Sequence, residues 1–413
     1  MTTTRGAGPY IGYWGGIGMK LRLFFAIAVA LLALAVLGPA ALAAQQTPLA
    51  YKAWTTTADF AAGSAGGVAK AAVGDGALKL VRGVGQGAWT SPVVSRPSAV
   101  SFLVASWNAD TPSGTWVQTD VQLLVNGHWT KWFVLGQWTW DDQAFLRTSV
   151  GGQSDADGYV AVDTWVAKDK PATAWRLRAT LHAAPNGASP VLRALGATAS
   201  DPRNANPVIP SITTMTRAVE LAVPQLSQEI HAGQYPQYDG GGEAWCSATT
   251  TAMLVQYWGR GPSAAELAWV DPSYADPQVD HAARYTYDYR YKGCGNWPFN
   301  AAYAAHYGLS ASMRQLASLS DAEAWLKAGV PLGASIVANP NQLTGFPFKF
   351  GTAGHLVVIR GFTAAGDVIV NDPAAAADAT VRVIYDRAEF ETCWLRGSAG
   401  VVYAFTPEGW PAP

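Results

Sequence analysis

Three cysteines and six histidines are the residues in this sequence that could carry nucleophilic chemistry on an acyl group. Cys246 stands in Glu243-Ala244-Trp245-Cys246-Ser247-Ala248-Thr249-Thr250, directly after Gly240-Gly241-Gly242. The helix-like stretch 247–258 ends at Gly259, so the thiol sits where a glycine loop meets a helix N-terminus. Unpaired N–H groups and the positive end of the helix dipole favour a thiolate there. The same N–H groups can hold an oxyanion. A buried structural cysteine is the other reading, but the neighbours are glycine, serine and threonine rather than an apolar core run.

A thiol nucleophile needs a base. His128 and His182 fall in β-like segments, on solvated faces. His306 lies near a helix end, where a positive charge complements the dipole. His231 and His281 lie in loop-like sequence and stay open as alternatives. His355 follows Gly351-Thr352-Ala353-Gly354 and opens the apolar strand Leu356-Val357-Val358-Ile359, with glycine leaving room for a substrate. The next strand, 367–371, leads into Asn371-Asp372-Pro373. A hairpin turning at 364–366 brings Asp372 to the same open end as His355. A carboxylate there accepts the Nδ1 proton and stabilises the imidazolium. Alone, Asp372 reads as a turn cap before proline. Gln228 lies upstream of the cysteine, as a second oxyanion donor requires; Gln234 and Gln237 lie closer and pass as surface residues. No metal or cofactor is implied, since neither HExxH nor a zinc-spaced Cys/His cluster occurs.

The elements that position these residues come from a chain of 413 residues, long enough to imply two domains. Hydrophobic residues make up 49% and charged residues 14%, which supports well-buried cores. A net charge of −1 without long runs of one sign excludes a nucleic-acid or anionic-membrane surface.

Residues 1–44 read as an extension plus a secretory signal: Lys20 and Arg22, an apolar run over 23–37, then Ala41-Leu42-Ala43. The run falls short of the roughly 20 residues that span a bilayer, so a cleaved signal and only transient membrane contact are expected, with an uncleaved anchor as the alternative. The mature chain is expected to be secreted, extracellular or cell-wall associated. An oxidising setting leaves Cys294 and Cys393 as a candidate disulfide if Cys246 stays free.

Residues 48–200 read as an all-β sandwich or jelly roll, with 116–125 alternating, Asn126-Gly127 as a hairpin turn, and further strands over 159–166 and 175–181. Packing accounts for most of its tryptophans, and a cell-wall glycan is the partner exposed ones would suit. Residues 201–217 read as a proline-rich linker. Residues 218–413 read as α+β, with helices over 247–258 and 300–307 and a third opened by the capping box Ser320-Asp321-Ala322-Glu323. Strands follow over 332–337, 355–362, 367–371 and 400–405.

The segment from about 221 to 405 resembles the papain-like cysteine peptidases of bacteriocin-processing type, family C-39-like, in an exported actinobacterial branch with an N-terminal β domain. The residues that carry it are Val223-Pro224, Ser227-Gln228, Glu243-Ala244-Trp245-Cys246-Ser247, Gly295-Asn296-Trp297-Pro298-Phe299-Asn300, Gly354-His355-Leu356 and Asn371-Asp372-Pro373. Gly87-Ala88-Trp89-Thr90-Ser91-Pro92 and Ala105-Ser106-Trp107-Asn108-Ala109 extend it through the β segment. The resemblance implies a papain-like domain in which Cys246, His355 and Asp372 form the triad and Gln228 completes the oxyanion site. Ala248 departs from the proline that the family commonly has there. A peptide or protein is the implied substrate. The same triad would serve a cell-wall amidase or a transglutaminase-like acyltransferase. An inert wall-binding protein is the remaining alternative.

Overall fold

The computed structural model describes residues 49–413 apart from 73–74, 205–207 and 412, so the expected signal segment lies outside the described residues. The chain is mixed α and β, mostly strand, with seven α-helices among the described residues.

The first half forms two seven-stranded antiparallel sheets. Phe102–Asp110 pairs with Val191–Ser200 in one, and Trp116–Val125 with Ala172–His182 in the other. Alternation over Trp116–Val125 turns Val117, Val121, Leu123 and Val125 into a core shared by both sheets. Trp54, Trp89, Trp107, Trp138, Trp165 and Trp175 are at most 2% exposed, so these tryptophans pack the interior. Residues 159–166 are not one strand. They form the hairpin Gly158–Ala161 and Thr164–Ala167, turned at Val162 and Asp163, because alternation continues unbroken through a two-residue turn.

The second half centres on a seven-stranded sheet. Its main path runs Leu309–Gln315, Val401–Pro407, Leu332–Ala338, Thr352–Phe362, Val368–Asn371 and Arg382–Tyr385. Helices Cys246–Tyr257, Pro277–Thr286 and Trp297–His306 share a core with Leu356 and Val358. Leu319–Lys327 and Arg387–Ser398 share the opposite core with Val357 and Ile359. Helices therefore cover both faces and are interleaved with strands rather than preceding them. Helix 297–306 starts earlier than expected, because the Asn296 side chain accepts from the Phe299 N–H and Pro298 fits the first turn. Ser318, not Ser320, caps the helix over Leu319–Lys327. Glu323 does not reach back to a cap; it accepts from Thr213, Thr214 and Arg387.

The two halves interlock. Phe299 meets Trp138 at 5.3 Å and Trp107 at 6.2 Å between ring centroids. Phe102 and Val104 in turn join the core of the second half. Asp163, in the hairpin turn, accepts the Trp297 N–H at 2.7 Å and so caps a helix of the other half. The proline-rich segment is tied down as well, with the Ser211 N–H donating to Glu391 at 2.6 Å. Cys294 and Cys393 are both buried with free thiols, in cores on opposite faces of the sheet, so no disulfide joins them.

Candidate active site

Cys246 is the first residue of the helix Cys246–Tyr257, and no side chain caps that end. The preceding Trp245 is fully buried, and its indole N–H donates to the Tyr238 carbonyl at 2.6 Å. Gly242 brings the loop into tight contact with the 228–231 segment. A Cβ there would lie 2.2 Å from the Gln228 carbonyl oxygen, so no larger residue fits. Along the helix, the Thr250 hydroxyl donates to the Leu356 carbonyl at 3.2 Å. That bond ties the helix to the strand that carries His355.

His355 lies in Thr352–Phe362 opposite Ile336. Its Nε2 meets Asp372 Oδ1 at 2.7 Å. The expectation that Nδ1 faces the carboxylate is therefore corrected. With Nε2 committed to Asp372, Nδ1 is the ring nitrogen left for the Cys246 thiol, whose nearness also favours the charged imidazole. Asp372 is fully buried and both its oxygens are occupied: Oδ1 also accepts the Ala374 N–H at 3.0 Å, and Oδ2 accepts the Tyr385 O–H at 2.7 Å. Tyr385 went unseen in the sequence, where it is one aromatic in a short strand. Next to Asp372, Asn371 donates to the Pro224 carbonyl at 2.8 Å, and the Gln228 N–H donates to the Pro373 carbonyl at 2.8 Å. These bonds bring the upstream segment against the site.

Gln228 is buried beside the loop that leads to Cys246. Its side-chain amide donates to the Glu243 carbonyl at 2.7 Å and to Glu229 Oε1 at 3.1 Å. Both N–H groups are thus engaged, one of them by the Glu229 carboxylate. Burial raises the pKa of that carboxyl, and the charge of Glu243 adds to the rise. Glu229 was missed in the sequence, although it directly follows Gln228.

The other histidines have other partners. His231 pairs with Asp280 at 3.2 Å, and His281 bonds the Tyr303 hydroxyl at 3.0 Å. His306 stacks on Trp140 at 3.5 Å, and burial pushes it down to about 4. It is uncharged at neutral pH and does not complement the helix dipole. His182 stacks on Trp116 and is pushed by burial to about 4, while His128 meets Asp157 at 2.8 Å.

Burial alone would disfavour the charged form of His355. The Asp372 charge and hydrogen bond, with further help from Cys246, reverse this and push the imidazole up to about 10. Burial likewise opposes the Asp372 charge, but His355, Tyr385 and the Ala374 N–H hold that carboxyl below its usual range. The imidazolium therefore contributes stability that is complete below about pH 6.5 and is lost as pH climbs through about 10. The Asp372 charge contributes stability present above about pH 4 and lost as pH falls further. Asp372→Asn removes the main support of the imidazolium. It is expected to move the alkaline limb of kcat/KM on a cleaved peptide downward by at least about one pH unit. An alkaline limb that stays in place would exclude this role for Asp372.

Among the described residues, no helix is long and apolar enough to cross a membrane. No curated protein matches the sequence. Residues 50–200 match the peptidase C39 N-terminal domain, and residues 220–400 match the peptidase C39 like family. The two matches run consecutively over most of the described chain, and the second contains Cys246, His355 and Asp372. The chain belongs to the peptidase C39 like family, in the actinobacterial type that carries this N-terminal domain.

Proposed function

We propose that the protein is a secreted cysteine peptidase of papain-like type that works through Cys246, His355 and Asp372. The observation that supports the reading is His355, bonded through Nε2 to the buried Asp372 carboxylate and near enough to the helix-start Cys246 for the thiol to favour its charge. The Cys246 sulfur attacks the carbonyl carbon of a peptide bond while the imidazolium holds its proton on Nδ1. The oxyanion is held by first-turn N–H groups of the helix, and by the Gln228 amide once Glu229 gives way. As the C–N bond breaks, His355 gives its proton to the leaving amine. A thioester on Cys246 remains. Water then adds to the thioester, His355 takes its proton, and the carboxylic acid leaves with the free thiol restored. Asp372 keeps the imidazole oriented and charged throughout. Export follows from the segment over 1–44.

The test is product analysis on a mixed peptide library. Mass spectrometry is expected to find new carboxyl termini that carry one oxygen from solvent, including when a primary amine is present in excess. Amine adducts as the main product would make the protein an acyltransferase instead.

A further inference from the structure

In the reaction proposed above, His355 delivers its proton to the leaving amine, so the groups beside its ring line the path of the leaving half of the substrate. Those groups are aromatic. Phe348 meets the His355 ring at 5.2 Å and 78°, and Phe346 meets it at 5.6 Å and 65°. The two phenyl rings also pack edge-on against each other at 5.4 Å. Together with the strand around it, they leave His355 only 1% exposed. Two residues further on, Phe350 is 94% exposed, more than any other large apolar side chain among the described residues. A phenyl ring left in water contributes nothing to the packing of the free protein. Phe350 lies in the turn that the Gly351 N–H closes on the Phe348 carbonyl at 2.9 Å, two residues from the ring that touches the base. The segment 345–351 carries one charged side chain, Lys349, and no carboxylate.

We propose that Phe348 and Phe350 form a leaving-group subsite that takes an aromatic or large aliphatic side chain within two residues after the scissile bond. This rests on the peptidase reading of Cys246 and His355. An apolar side chain in that place covers Phe350 and keeps water from the imidazole during proton delivery, so selection acts on kcat/KM. A glycine or an acidic residue leaves the ring exposed.

The experiment is digestion of a proteome-derived peptide library, with cleavage sites read by mass spectrometry, for the wild type, Phe350→Ser and Phe348→Ala. The wild type is expected to enrich Phe, Tyr, Trp and Leu after the scissile bond roughly tenfold over Gly and Asp. Phe350→Ser removes an exposed side chain and leaves the core intact. It is expected to cut that enrichment several-fold while preferences before the bond stay as they were. Cleavage without any preference after the bond overturns the subsite and leaves the peptidase reading standing. The same holds for a preference that survives both substitutions. A wild type that cleaves no peptide overturns the peptidase reading, and the subsite with it.

Discussion

Cys246→Ala is expected to abolish peptide hydrolysis, a fall in kcat on the order of 10^4- to 10^6-fold, with little change in thermal stability. The thiol is half-buried at a helix start and belongs to no packed cluster except at its margin, so its loss removes the nucleophile and almost no core. His355→Ala is expected to come close to the same loss, because base and nucleophile act as one unit and their effects do not add. It is also expected to destabilise the fold, since it leaves the Asp372 carboxylate buried without its imidazolium. Wild-type turnover in Cys246→Ala would exclude the mechanism outright.

Phe299→Ala is expected to destabilise the whole chain by about 3–5 kcal/mol. The ring is fully buried, comes from a helix of the second half, and packs between Trp107 and Trp138 of the first. Its removal opens a cavity where the two cores meet. Unfolding monitored by fluorescence and by calorimetry is expected to shift together to lower temperature, as one transition. Loss of stability confined to one half, with the other unchanged, would contradict a shared core. Cutting the chain before Pro210 would expose Phe299 and leave the Trp297 N–H without Asp163, so the second half is expected not to fold alone.

The residues of the candidate site were more legible in the sequence than the fold around them. Cys246 was marked by glycines before a helical stretch, His355 by glycine before an apolar strand, and Asp372 by the end of the next strand. These are local signals, and the backbone geometry that follows from them is local too. The choice of Nε2 for Asp372 was not legible. It depends on how the ring enters the site, and that is set by Ile336, Phe346 and Phe348 from other segments. Helix 277–286 was hidden because its buried face is built from Asp280, His281 and alanines rather than a strong apolar stripe. Strand Leu309–Gln315 was missed although its buried positions alternate with Ser310, Ser312 and Arg314, which is the ordinary pattern of a half-buried strand. The interlock of the halves could not be read at all. Phe299 and Asp163 look ordinary in sequence, and their partners lie more than a hundred residues away.

The central claim is that His355 activates Cys246, and alkylation of the folded protein tests it most directly. Iodoacetamide is applied near neutral pH, and the modified cysteine is identified and timed by mass spectrometry, in the wild type and in His355→Ala. Cys246 is expected to react alone in the wild type, with Cys294 and Cys393 protected by burial. Its rate is expected to fall on the order of 100-fold in His355→Ala. Equal rates in the two proteins, or modification of Cys294 or Cys393 as fast as Cys246, would contradict the claim.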